Sequence, residues 1–148
     1  MEVFYILLVL IAGACAPTQA GVNSQLLRFW AGDPVPAAMI SFAVGTLALF
    51  VVTIVMRIPF PSMNKAAHLP WWIWTGGLMG AFLVAVTIVI APILGAATMI
   101  GFFVAGQMVA SLCLDHWGLV GYSVHPINLP RIIGTVLLII GVIIIRKF

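Results

Sequence analysis

The stretch VFYILLVLIAGACAPTQAGVNSQLL, Val3–Leu27, contains no charged residue. As a helix rising 1.5 Å per residue it is long enough to cross a bilayer core of about 30 Å, which needs roughly 20 residues. Blocks of similar size recur at Pro36–Met56, Trp71–Ile90, Gly95–Leu114 and Ile132–Ile145. The chain of 148 residues is 64% hydrophobic and 6% charged, with a mean hydropathy of +1.28. Five uncharged blocks leave no amphipathic surface for a water-soluble fold. The expectation is an all-α integral membrane protein, a single five-helix transmembrane domain over residues 1–148, embedded in a lipid bilayer.

The flanks support this reading. Pro34, Pro36, Pro59, Pro61, Pro70, Pro126 and Pro130 fall between the blocks, where a missing N–H costs least. Trp71, Trp72 and Trp74 open the third block, and such rings favour the headgroup level. The segment LVLIAGAC ending at Cys15 has the look of a lipoprotein cleavage box. However, Glu2 precedes it and no Lys or Arg does, so retention as a first helix is expected.

Cys15 and Cys113 both lie in expected spans, with no CxxC or Cys/His spacing. His68, His116 and His125 sit in or beside loops and read as solvated rather than as metal ligands. Paired acids, a nucleophile with a base, and metal motifs are all missing from the sequence. No catalytic residue, metal site, cofactor or nucleic-acid partner is therefore expected.

Orientation in a membrane follows the imbalance of Lys and Arg between short loops. Five spans put Arg57, Lys65 and Arg131 on the side of the N-terminus, and Arg28, Arg146 and Lys147 on the other. The count is three against three, a tie that gives the insertion machinery no instruction. Insertion in both orientations, followed by assembly of an antiparallel homodimer, would yield a ten-helix inverted repeat from one short chain. In the last span, GTVLLIIGV places Gly134 and Gly141 seven apart, on one face after two turns. Such small residues permit close backbone approach in lipid, either at a dimer contact or within one subunit.

The amides of the first block need an explanation, because an unpaired polar group in hydrocarbon costs several kcal/mol, roughly. Cys15, Gln19 and Asn23 are spaced i, i+4, i+8 and form one helix stripe, with Thr18 at its edge. Gln107, Ser111 and Asp115 repeat that spacing in the fourth block. Gln19, Asn23, Thr18, Gln107 and Ser111 are candidates for lining a substrate site, or for bonding one helix to another. Asp115, at a helix end beside water, reads as an interfacial structural residue, with a partner such as Arg131 or as a loop cap. No carboxylate occupies the centre of a span, where proton carriers of coupled transporters usually sit.

The segments TQAGVNSQL, LGAATMIGFFVAGQMVASLCLDHWGLVG and RIIGTVLLIIGV resemble the YdcZ-type family of small inner-membrane proteins in the drug/metabolite transporter superfamily. The resemblance covers essentially the whole chain, and Gly106–Gln107 and Asp115-His116-x-Gly118 are its more specific parts. It implies a five-helix half-transporter that works as a dual-topology or paired dimer. The glycine-spaced last block also looks like the dimerisation helix of the small multidrug resistance proteins in that superfamily. Their central first-helix glutamate has no counterpart, Ala14 and Cys15 standing in its place, so cation/proton antiport does not carry over.

The reading that follows is a bacterial inner-membrane transporter of a small polar metabolite, acting by alternating access as an antiparallel homodimer. Its rivals are a dual-topology channel for a small ion or solute and a non-transporting membrane assembly protein.

Overall fold

The computed structural model describes residues 1–148, with every side chain other than those of Met63 and Lys65. It is all-helical, and five helices are long and apolar enough to cross a membrane: Glu2–Ala31, Pro34–Val55, Trp71–Leu94, Ala96–Trp117 and Leu129–Lys147. In chain order, α1 is Glu2–Leu26, α2 Pro34–Val55, α3 the short Met63–Ala66, α4 Thr75–Leu94, α5 Ala96–Trp117 and α6 Leu129–Lys147. A 3-10 turn, Trp71–Trp74, leads into α4.

The helices run a few residues beyond the uncharged blocks, and proline chemistry explains much of the difference. Pro34, Pro36 and Pro130 lie inside the first turns of α2 and α6 rather than between spans. The first-turn N–H groups of a helix have no intrahelical partner to lose. Asp33 Oδ1 accepts from the Val35 N–H at 2.9 Å, and Asn128 Oδ1 from the Arg131 N–H at 3.1 Å, so each of these helices opens on a side-chain cap.

α1 also outruns its expected end, widening into a π turn over Leu27–Ala31 that closes when Gly32 N–H donates to the Leu27 carbonyl at 2.9 Å. Gly32 has φ +70°, a conformation that costs residues with a Cβ. Only Gly32 and Asp33 separate this turn from α2, and it is the π turn that packs on α2.

Backbone contacts divide the chain into two compact units, Met1–Pro17 with Leu94–Phe148, and Thr18–Ile93. In the Thr18–Ile93 unit the interior is small: Ala37, Ala38, Val84 and Ile88 are buried, and Leu26, Leu27, Ala31 and Ala85 pack on them. The alanines let α2 come close to its neighbours.

A proline and a serine supply the polar tie in this unit. Pro92 lies inside α4 and brings no N–H, so the carbonyl of Ile88, four residues earlier, loses its helical donor. The Ser24 hydroxyl of α1 lies 2.8 Å from that oxygen and 2.8 Å from the Ala20 carbonyl, and its single proton serves either. The break at Pro92 thus becomes a bonding site for another helix.

In the other unit, α5 and α6 pack along Gly101 and Val142, where a Cβ at Gly101 would come 2.9 Å from Val142 Cγ1. Met99, Ala105, Thr135 and Val142 are buried there. The Thr135 hydroxyl is satisfied by the Arg131 carbonyl of its own helix at 2.9 Å. Near the C-terminal end of α6, the Arg146 guanidinium sits 5.7 Å from the centre of the Phe102 ring.

Ser24→Ala is expected to lower stability by about 1 kcal/mol by stranding the Ile88 carbonyl. In a Pro92→Ala background, where the helix regains its own N–H, the same change is expected to cost much less. A double-mutant cycle on thermal unfolding in detergent measures the coupling, and simple additivity would rule out the Ser24–Ile88 bond.

Candidate functional site

Gln19 stands near the middle of the first membrane-crossing helix, and Gly45 and Thr46 near the middle of the second. Together with Ser41, Phe42 and Leu49 they line a groove of about 240 Å³ between α1 and α2. Gln19 is exposed. The Ser41 and Thr46 side chains, like that of Gln19, make no hydrogen bond among the described residues. By contrast Thr53 and Thr87 give their hydroxyls to carbonyls of their own helices, at 2.8 and 2.9 Å. Ser41 and Thr46 were not singled out from the sequence. The available signal was the four-residue step from Ser41 to Gly45, which puts a hydroxyl and a gap on one face of α2.

Asn23, one turn beyond Gln19, is in a different situation. It is only 4% exposed, and its Nδ2 has no hydrogen-bond partner among the described residues. A buried donor left unpaired costs about 1–3 kcal/mol. Thr18 and Cys15 continue the stripe toward the N-terminus, Cys15 being exposed.

Gln107 is exposed at the middle of α5 and makes no hydrogen bond among the described residues. Ser111, one turn on, lines a second groove of about 310 Å³ between α5 and α6, whose polar end is formed by Asp115, Arg131 and Thr135. Arg131 Nη2 donates to Asp115 Oδ2 at 3.1 Å, the two side chains being 34% and 27% exposed. Partial solvation limits such a pair to about 1 kcal/mol.

The connection between α5 and α6 folds back on the same residues. Gly118 ends α5 in the left-handed conformation, φ +61°, its N–H bonded to the Leu114 carbonyl. His125 N–H donates to the Asp115 carbonyl at 2.8 Å, and Ile127 N–H to His116 Nδ1 at 3.1 Å. Arg131 Nη1 donates to the His125 carbonyl at 2.9 Å. Asp115, His116 and Gly118 thus act as backbone and side-chain anchors for this connection. A Cβ at Gly118 would lie 2.7 Å from Val124 Cγ2, so glycine is needed on both conformational and steric grounds. Val120, in the same turn, holds φ +56°, a strained value for a β-branched residue.

Gly134 and Gly141 have nothing within 4 Å of a Cβ built on them, unlike Gly101. Among the described residues no atom presses on either position, and Gly134 lines the α5–α6 groove.

Five helices long and apolar enough to cross a membrane define a multi-pass membrane protein. The family described as "Putative inner membrane exporter, YdcZ" matches residues 4–144, and the chain belongs to it. It is accordingly a multi-pass protein of the inner membrane. No curated protein and no solved structure matches the chain.

Two substitutions in the α5–α6 connection are expected to move stability in opposite directions. Gly118→Leu adds both a clash and an unfavourable φ and should lower stability by about 2 kcal/mol or more. Val120→Gly removes strain from a residue that is largely exposed and should raise it by about 1 kcal/mol. Unfolding temperatures of the purified variants check both signs.

Proposed function

We propose that the protein is a secondary transporter of a small polar metabolite, working by alternating access as an antiparallel homodimer. The observation that carries this reading is the mid-span groove with Gln19, Ser41 and Thr46, whose hydrogen-bonding groups are left open where hydrocarbon cannot satisfy them. Solute sites of transporters built from inverted repeats lie near the bilayer midplane. Here the second repeat would come from a second copy inserted the other way up, which the even three-to-three division of Lys and Arg permits. Gly134 and Gly141, where no described atom lies within 4 Å of a Cβ, would offer a close-approach surface on α6 for that copy.

Each residue then has a role. Gln19, with Thr18 and Asn23 on the same helix, is the proposed solute-binding set of the Thr18–Ile93 unit, and Gln107 and Ser111 of α5 are that of the other. Asp115 and Arg131 hold the interfacial end of α5 and α6 in register. A dimer open to one face of the membrane at a time requires its two subunits to differ in shape, and exchanging those shapes would carry the solute across.

Orientation is tested with Cys15 and Cys113 replaced and single cysteines placed near each terminus. Both ends should be labelled from both sides of the same membrane; labelling of each end from one side only would end the dual-topology reading. Gly134→Leu and Gly141→Leu should reduce the cross-linked dimer, and an unchanged dimer fraction in both would take the contact away from α6. In liposomes, Gln19→Ala should cut solute flux about tenfold, the effect of one lost hydrogen bond to the solute, while shifting the unfolding temperature little. Normal flux with weakened folding would make Gln19 a structural residue. A turnover at channel rates would replace a transporter by a pore.

A further inference from the structure

The groove between α1 and α2 is specific about what it can hold. None of its lining residues, Gln19, Ser41, Phe42, Gly45, Thr46 and Leu49, is titratable. A charged group brought to mid-span depth among them would meet no countercharge, and burying an unpaired charge is far more costly than burying a hydrogen-bonded neutral group. The polar groups that are present share one property. The Gln19 amide and the Ser41 and Thr46 hydroxyls each both donate and accept. A carboxylate only accepts and an ammonium only donates, so either would use one half of the hydrogen-bonding capacity of these groups. Hydroxyl groups on the solute would match all of it.

The apolar part of the lining fits the same partner. Phe42 and Leu49 offer surface to the C–H face of a carbon chain or ring, and nothing lies within 4 Å of a Cβ built on Gly45, which leaves the groove open at that point. Amphipathic contact of this kind, aromatic and aliphatic surface with a few placed polar groups, is how small-molecule sites usually fix orientation.

We infer that this groove binds a neutral polyhydroxylated solute, a polyol or a sugar, with Ser41 and Thr46 as binding residues alongside Gln19. The inference rests on the transporter reading only for its physiological use; binding itself is tested separately.

Thermal unfolding of the purified full-length protein is measured with millimolar xylitol, sorbitol and glucose, and with glycine betaine, lactate and tetraethylammonium as charged comparators. Polyols at high concentration stabilise proteins generally by exclusion from their surface, so the signal is a saturable shift that a groove variant lacks. At least one neutral solute should give such a shift. Ser41→Ala and Thr46→Val should each weaken its midpoint about tenfold. Gly45→Leu, whose Cβ has open space and whose longer side chain would fill the groove, should abolish it. The two hydroxyl variants keep the test decisive should Gly45→Leu disturb folding or dimerisation.

A shift given only by charged comparators, no saturable shift at all, or a shift unchanged in these variants would overturn the assignment. Flux of a charged solute in liposomes without polyol binding would overturn the polyol site and leave the transporter standing. Saturable, groove-dependent polyol binding would support the site even in liposomes that show no flux, where the transporter reading would be the one to fall.

Discussion

In a bilayer core every hydrogen-bonding group must find its partner inside the protein or in something the protein binds, and this constraint organises the whole chain. It explains the all-helical architecture, since helices satisfy their backbones within each segment. It also explains the exceptions. Pro92 frees the Ile88 carbonyl, and Ser24 arrives from α1 to occupy it. Thr53, Thr87 and Thr135 turn their hydroxyls back onto their own helices. Against that background several groups stay open, Asn23 Nδ2 and Gln107 among them, and those of Gln19, Ser41 and Thr46 share one groove.

Charge is handled by the same economy. The carboxylate of Asp115 lies near the C-terminal end of α5, where the helix dipole disfavours it. Arg131, in the first turn of α6, is equally disfavoured by the positive end of its own helix. Their pairing offsets both disadvantages and spans the mouth of the α5–α6 groove. The backbone bonds from His125 to Asp115 and from Ile127 to His116 then close the connection over the same spot.

Much of this was legible before any coordinates. The five spans follow from uncharged block lengths, because the hydrocarbon thickness leaves little freedom in how long a helix must be. Helix ends were less legible: prolines 34, 36 and 130 punctuate a sequence either between helices or within a first turn, and only capping geometry separates the two. Gln19 could be singled out because an amide in an apolar block is conspicuous. Ser41 and Thr46 could not, since a hydroxyl can hide by bonding its own helix, and only the structure tells which ones do. Asn23 shares the stripe of Gln19 yet is buried where Gln19 is exposed, a difference that depends on neighbouring helices and leaves no trace in spacing.

The two-residue link between the π turn and α2 bears on how a solute held between these helices could leave. Gly32 is bonded back to Leu27 and Asp33 forward to Val35, so each residue of the link is tied to the helix beside it. α1 beyond Pro17 and α2 belong to one compact unit and are joined by this short link. A site between two helices joined so closely is emptied most simply by uncovering its open side, and the timing of release then belongs to whatever covers it.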